Sequence, residues 1–212
     1  MDLGQLVISV CPNERTSDFS HFTSDFTKRG VLMKRTNMQT HEQIRRMVLA
    51  AVFAALSCVA TMVIQIPSPM NGYVNLGDCF VLLGALYLGP VWGAVAGGVG
   101  SMLADLFTGY AHYAPGTFVI KAVMALVFCC LYRTLTTGKL PKTAAYLLGA
   151  TAAELTMVVG YFGYACLLLG KGLAAASGIP GNLMQGVFGV VVSALLMQGI
   201  GKAMAGQNKK DR

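Results

Sequence analysis

Residues 75–121 read NLGDCFVLLGALYLGPVWGAVAGGVGSMLADLFTGYAHYAPGTFVIK. Two apolar runs, Cys79–Leu88 and Val91–Leu103, are separated by little more than Gly89-Pro90, and a short connector, Gly109–Pro115, leads into a third run. Chain in hydrocarbon must satisfy its backbone hydrogen bonds internally, so apolar runs joined by tight turns predict helical hairpins in a membrane. Asp78, Asp105 and Lys121 stand near the ends of these runs. Ionisable groups inside membrane helices cost roughly 2.5–3.5 kcal/mol each on insertion scales, and they point to a function.

Working outward, the whole chain has the same character. Of its 212 residues 55% are hydrophobic and only 12% charged, against about 25% charged in soluble domains. This predicts an all-α integral membrane protein without a sizeable soluble domain. The net charge of +7 does not imply nucleic acid, because the basic residues cluster at helix ends, where they set topology. Cys58, Cys79, Cys129, Cys130 and Cys166 lie in apolar runs without a CxxC or Cys/His spacing, so they read as small packing residues.

Residues 1–32 differ from the rest. Leu3–Val10 is too short to span, Asp2 stands where a signal peptide carries basic charge, and Val10 precedes Cys11 where lipidation needs a small residue. Pro12–Gly30 is polar and mixed, and disorder is expected there. Met33 opens MKRTNMQTHEQIRRM, which reads as a start, with residues 1–32 an over-called extension and residues 33–212 the membrane domain.

Six spans are expected, at Ile44–Ile66, Leu76–Leu88, Val91–Thr108, Pro115–Leu135, Thr143–Leu169 and Gly181–Met204. The first carries Ala50, Ala51, Ala54 and Ala55, two overlapping small-xxx-small pairs that allow another helix to approach closely. That helix could belong to a partner or to this chain. Arg45, Arg46, Arg133, Lys139, Lys142, Lys202, Lys209, Lys210 and Arg212 fall on one side and Lys171 on the other, which puts both termini in the cytoplasm.

This orientation brings Asn75, Asp78, Asp105, Lys121, Asn182 and Gln185 to the outer half, with Glu154 deeper and Tyr161 and Tyr164 above it. Each has a plainer reading. Asp105 and Lys121 could form a structural ion pair, Asp78 and Asn182 could cap helices, and Tyr110, His112 and Tyr113 could form an interfacial belt. Gln185 and Glu154 lie within apolar runs with no neighbouring partner, and Glu154 is the strongest single candidate. Polar groups set among apolar walls suit a ligand pocket.

The runs Val74–Asp78, Ala104-Asp105-Leu106, Gly109-Tyr110, Ala114–Lys121, Ala153-Glu154, Gly160–Phe162 and Pro180–Gln185 together resemble the substrate-binding S components of energy-coupling factor (ECF) transporters, over residues 33–204. The resemblance implies a six-helix bundle that captures a vitamin or precursor from outside, with no cofactor of its own. It also implies partners, a transmembrane coupling subunit and two ATPases, in the bacterial plasma membrane. Ala50, Ala51, Ala54 and Ala55 would face the coupling subunit. The substrate-binding set would be Asn75, Asp78, Asp105, Tyr113, Lys121, Glu154, Tyr161, Tyr164, Asn182 and Gln185. The flavour is that of the branch for riboflavin, hydroxymethylpyrimidine or pyridoxine-like compounds. No arginine falls in this set, which disfavours a ligand held by its own carboxylate, and a heteroaromatic ring stacked near Tyr113, Tyr161 or Tyr164 is expected.

Other classes fit less well. Gly170-Lys171 lacks the glycine spacing and the Ser/Thr of a phosphate-binding loop, so ATP hydrolysis is expected only from a partner. His21, His41 and His112 do not cluster, and a metal is not expected. No histidine sits beside Ser101, and no enzyme activity is expected. A self-sufficient ion-coupled transporter using Asp105, Lys121 and Glu154 is the alternative, but such proteins often carry inverted repeats, and none is evident.

Overall fold

A computed structural model describes the backbone of residues 16–63, 65–68 and 72–210, and the side chains of residues 40–63 and 75–200. The reading of residues 1–15 lies outside the described residues. The chain divides into two compact units, Met1–Arg45 and Arg46–Arg212. Helix α1 (Thr16–Val63) starts inside the stretch expected to be irregular.

After α1 come two short strands, β1 (Gln65–Ser68) and β2 (Gly72–Asn75), then α2 (Gly77–Leu88), α3 (Pro90–Phe107), α4 (Ala114–Thr137) and α5 (Lys142–Gly163). A π-helical turn (Tyr164–Leu168) continues α5, a 3-10 helix (Gly172–Gly178) follows, and α6 (Ile179–Lys210) is the last element described. Among the described residues five helical segments are long and apolar enough to cross a membrane: Thr40–Val63, Pro90–Phe107, Ala114–Thr137, Lys142–Leu168 and Gly172–Ile200. Helix α2 is apolar but has only 12 residues, roughly 18 Å at 1.5 Å per residue.

The helical expectation therefore holds apart from one hairpin. The first span was expected to run to Ile66, but the helix stops at Val63 and Gln65 pairs with Asn75, Ile66 with Val74 and Pro67 with Tyr73, antiparallel. Pro67 disfavours helical backbone at Ile66, and a two-stranded ribbon has only edge strands, where proline is tolerated. The hairpin replaces the missing turns of α2 and leaves that helix's first turn inside the protein.

Prolines and glycines set the other boundaries. Gly89, at φ +83°, makes the whole turn between α2 and α3, and Pro90 opens α3, where its missing N–H costs nothing. The resulting hairpin is packed backbone to backbone. A Cβ added to Gly93 would lie 2.5 Å from the Ala85 Cα, and one on Gly97 would lie 2.8 Å from a Val81 methyl. On the other side of α3, Gly100 abuts the Ala54 carbonyl of α1. The main core lies between α2, α4 and α5, where Leu82, Met124, Phe128, Tyr146, Ala150 and Met157 are fully buried. Phe128 meets Tyr146 edge to face at 5.2 Å between ring centroids.

Gly93→Ala forces the α2–α3 hairpin apart and is expected to cost about 1–3 kcal/mol, a fall of several degrees in the melting temperature of the detergent-purified protein. Gly163→Ala, whose Cβ meets nothing within 4 Å, should leave it unchanged.

Candidate substrate cavity

The site is built at the end of the bundle where α2, α4 and α6 begin and α3 and α5 finish. Asp78 sits in the first turn of α2 and is fully buried. It does not cap that helix, whose N-cap position is Leu76 with no side-chain cap bond. Its Oδ1 is paired with Lys121 Nζ from α4, and its Oδ2 accepts from Gln185 Nε2 of α6 at 2.6 Å. Gln185 Oε1 accepts from Asn75 Nδ2 at 3.0 Å, and Asn75 Oδ1 accepts from the backbone N–H of Gly77 at 3.0 Å. Thr61 of α1 also donates to Asn75, at 3.4 Å. Four elements and the end of β2 are thus joined by one chain of buried hydrogen bonds. Both amides serve as relays, accepting at one end and donating at the other.

Above this network lies a cavity of about 340 Å³, within the range of small-molecule pockets. Seven of the expected residues line it: Asn75, Asp105, Tyr113, Lys121, Tyr161, Asn182 and Gln185. Lys121 is 3% exposed and lies 5.6 Å from the centroid of the Tyr161 ring. Of its three donors, one is committed to Asp78. Beside it, Tyr161 donates to Thr117 Oγ1 at 3.1 Å, and Thr117 donates to Asp105. At the rim, Lys171 Nζ donates to the Tyr113 hydroxyl at 2.9 Å and lies over that ring at 5.3 Å.

Several expectations are corrected here. Lys121 pairs with Asp78, not Asp105; Asp105 faces Thr117, one turn before Lys121. Asp78 lies behind the cavity wall. Tyr164 does not line the cavity either: its hydroxyl donates to the His112 carbonyl at 2.8 Å and its ring lies against Gly116, so it braces the α3–α4 connection. Glu154 shares a helical face with Tyr161 but lies seven residues earlier, about 10 Å deeper at 1.5 Å per residue. It falls below the floor and lines a separate cleft. The four alanines of α1 also divide: Ala50 is buried against Leu88 and Ala96, and Ala54 packs on Gly100, whereas Ala51 and Ala55 are exposed.

Thr61, Ser101, Tyr110, Thr117, Phe162 and Lys171 also line the cavity, without having been predicted to. Thr117 was accessible from its i, i+4 spacing to Lys121. Lys171 stands between the π-helical turn and the 3-10 segment, flanked by two left-handed glycines, Gly170 at φ +66° and Gly172 at φ +53°, and Ala174, Ala175 and Ser177 of that segment line the cavity with it.

Removing Lys121 strands a buried carboxylate, a change that costs about 3–5 kcal/mol. Lys121→Met should therefore melt well below the parent protein. The double variant Asp78→Asn/Lys121→Met, which keeps an acceptor for Gln185, should recover much of the loss; a double-mutant cycle of melting temperatures measures the coupling.

Residues 41–202 match the family model for the ECF-type riboflavin transporter, S component. A curated relative from Pyrococcus woesei, described as an uncharacterized protein in gap 3' region, is 37% identical over 135 residues, 63% of this chain and 86% of its own. Among solved structures, the S component of a bacterial ECF transporter aligns with a TM-score of 0.62 over 76% of this chain and 98% of that one, at 22% identity. This last likeness is one of fold.

Proposed function

The chain belongs to the family of ECF-type riboflavin transporter S components, and from that premise we propose that the 340 Å³ cavity captures a flat heteroaromatic B vitamin or precursor. Riboflavin is the first candidate, followed by hydroxymethylpyrimidine and pyridoxine-like compounds. The observation that carries this reading is Lys121, a buried cation held by Asp78 yet facing the cavity beside the Tyr161 ring. Such a group offers N–H donors to ring carbonyls or nitrogens, while Tyr161 and Tyr113 offer aromatic surface. Asn75, Asp105, Asn182 and Gln185 supply further polar contacts, and Asp78 fixes Lys121 from behind.

The family consists of transporter subunits, not enzymes. In this reading residues 33–212 form the membrane domain in the cell membrane, with six spans counting the short α2, and both termini in the cytoplasm. The basic residues Arg133, Lys139 and Lys142 lie at the end of the bundle away from the cavity, which supports a cavity facing outward. Energy comes from an ATP-driven module, a coupling subunit with two ATPases. Because Ala50 and Ala54 are used inside the bundle, the small-residue face left for that subunit is Ala51 and Ala55.

A thermal-shift screen of the purified protein against riboflavin, hydroxymethylpyrimidine and pyridoxine tests the ligand. Ligand at a hundred times its dissociation constant stabilises by about 2.7 kcal/mol, so one compound should raise the melting point clearly. Gln185→Ala should weaken its binding about tenfold or more, the effect of losing a buried hydrogen bond. No shift with any of the three compounds refutes this substrate class.

Ala51→Leu/Ala55→Leu should abolish co-purification with the coupling subunit and leave vitamin affinity unchanged. Undiminished co-purification refutes the assignment of that face.

A further inference from the structure

Glu154 is not accounted for by the cavity. It is 4% exposed, yet among the described residues no hydrogen-bond donor reaches either of its carboxyl oxygens. Lys121 Nζ and Gln185 Nε2 each bond Asp78 and not Glu154, and the buried Tyr146 hydroxyl does not reach it either. An ionised carboxylate buried without a donor is strongly disfavoured.

The surroundings of Glu154 are inhospitable to negative charge on two sides. On one side is Asp78: a Cβ added to Gly189 would lie 2.6 Å from Glu154 Oε1 and 3.1 Å from the Asp78 Cβ, so the two acids meet over that glycine. On the other side Glu154 lines a cleft of about 190 Å³ between α5 and α6, walled by Leu155, Val158, Leu183, Val187, Val190 and Val191. Leu155, Leu183, Val187 and Val191 are 42–58% exposed on the outer surface of the bundle, so the cleft opens toward hydrocarbon. Gly186 and Gly189 of α6 lie directly against the Glu154 side chain and bring no polar side chain to it. The other titratable groups facing it are Asp78 and Cys79 from α2, Lys121 from α4, and Tyr146 on α5 itself. One cation thus faces two carboxyl groups.

We propose that Glu154 is a proton-binding site coupled to the substrate cavity through Asp78 and Lys121, and that its protonated form is the one that binds substrate. A proton taken from water makes Glu154 a neutral acid, able to donate its O–H toward Asp78 and at ease beside the apolar cleft. Loss of that proton leaves Lys121 to balance two carboxylates and draws its remaining N–H groups away from the cavity. Substrate affinity is then full at low pH and falls as pH rises through the titration of Glu154. The limit for one linked proton is about tenfold per pH unit, and above that midpoint binding takes up a proton.

The coupling rests on the vitamin-binding reading; the proton site does not, and two experiments separate them. An infrared difference spectrum, wild type minus Glu154→Gln, taken without substrate at neutral pH, should contain the carbonyl band of a protonated carboxylic acid. Its absence overturns the proposal. Should Glu154→Gln fail to assemble, Glu154→Leu, suited to the apolar cleft, takes its place. Calorimetry with riboflavin, or whichever of the three compounds binds, should then show affinity falling with pH and proton uptake in wild type. Glu154→Gln, a permanent neutral mimic, should bind tightly at every pH. Loss of binding in Glu154→Gln, or the same pH slope in both proteins, overturns the coupling. Should no compound bind, the function reading fails and the infrared band alone decides the proton site.

Discussion

The structure depends on how a lysine is kept inside a membrane bundle. Lys121 is buried in the second turn of α4 and is stable there because Asp78 meets it from α2. Asp78 is in turn held by Gln185, and Gln185 by Asn75. A buried ion pair repays its desolvation only when the remaining polar capacity is satisfied and the geometry is good. Here the supporting groups come from β2, α2, α4 and α6, so the electrostatic requirement also fixes how those elements sit together. The cavity is the space left above that arrangement, and its polar floor is the same set of atoms.

The helices around this pair are placed by small residues. Gly93, Gly97 and Gly100 let α3 approach α2 on one side and α1 on the other at backbone distance. In a membrane no hydrophobic force drives helices together, and close van der Waals contact takes its place. The bundle therefore joins a tightly packed three-helix side, built on glycine and alanine, to a more aromatic core of Phe128, Tyr132 and Tyr146.

Much of this was legible in the sequence, and the limits have physical causes. Asn75, Asp105, Lys121 and Gln185 stood out because polar groups in apolar runs are expensive, and all four reach one cavity. The partner of Lys121 was not legible. Asp105 is nearer in sequence, but pairing is decided by which helix ends meet, and the hairpin lowers the start of α2 to the level of Lys121. Glu154 was read on the correct face and as deeper than Tyr161, but periodicity does not say where along the axis a cavity floor falls, and the floor lies above it. Ala50 and Ala51 are about 100° apart around α1, and sequence could not say which of the two overlapping pairs turns inward.

Helix α2 has a consequence for the lipid as well. Its 12 residues span roughly 18 Å, while a typical hydrocarbon core is about 30 Å thick. Of those residues only Tyr87 is exposed, so neighbouring protein meets the shortfall and the surrounding hydrocarbon need not thin to match it. Asp78, in the first turn of α2, is thereby set inside the bundle, with protein on every side. A charged group can sit at that level because the short helix never brings it into contact with hydrocarbon.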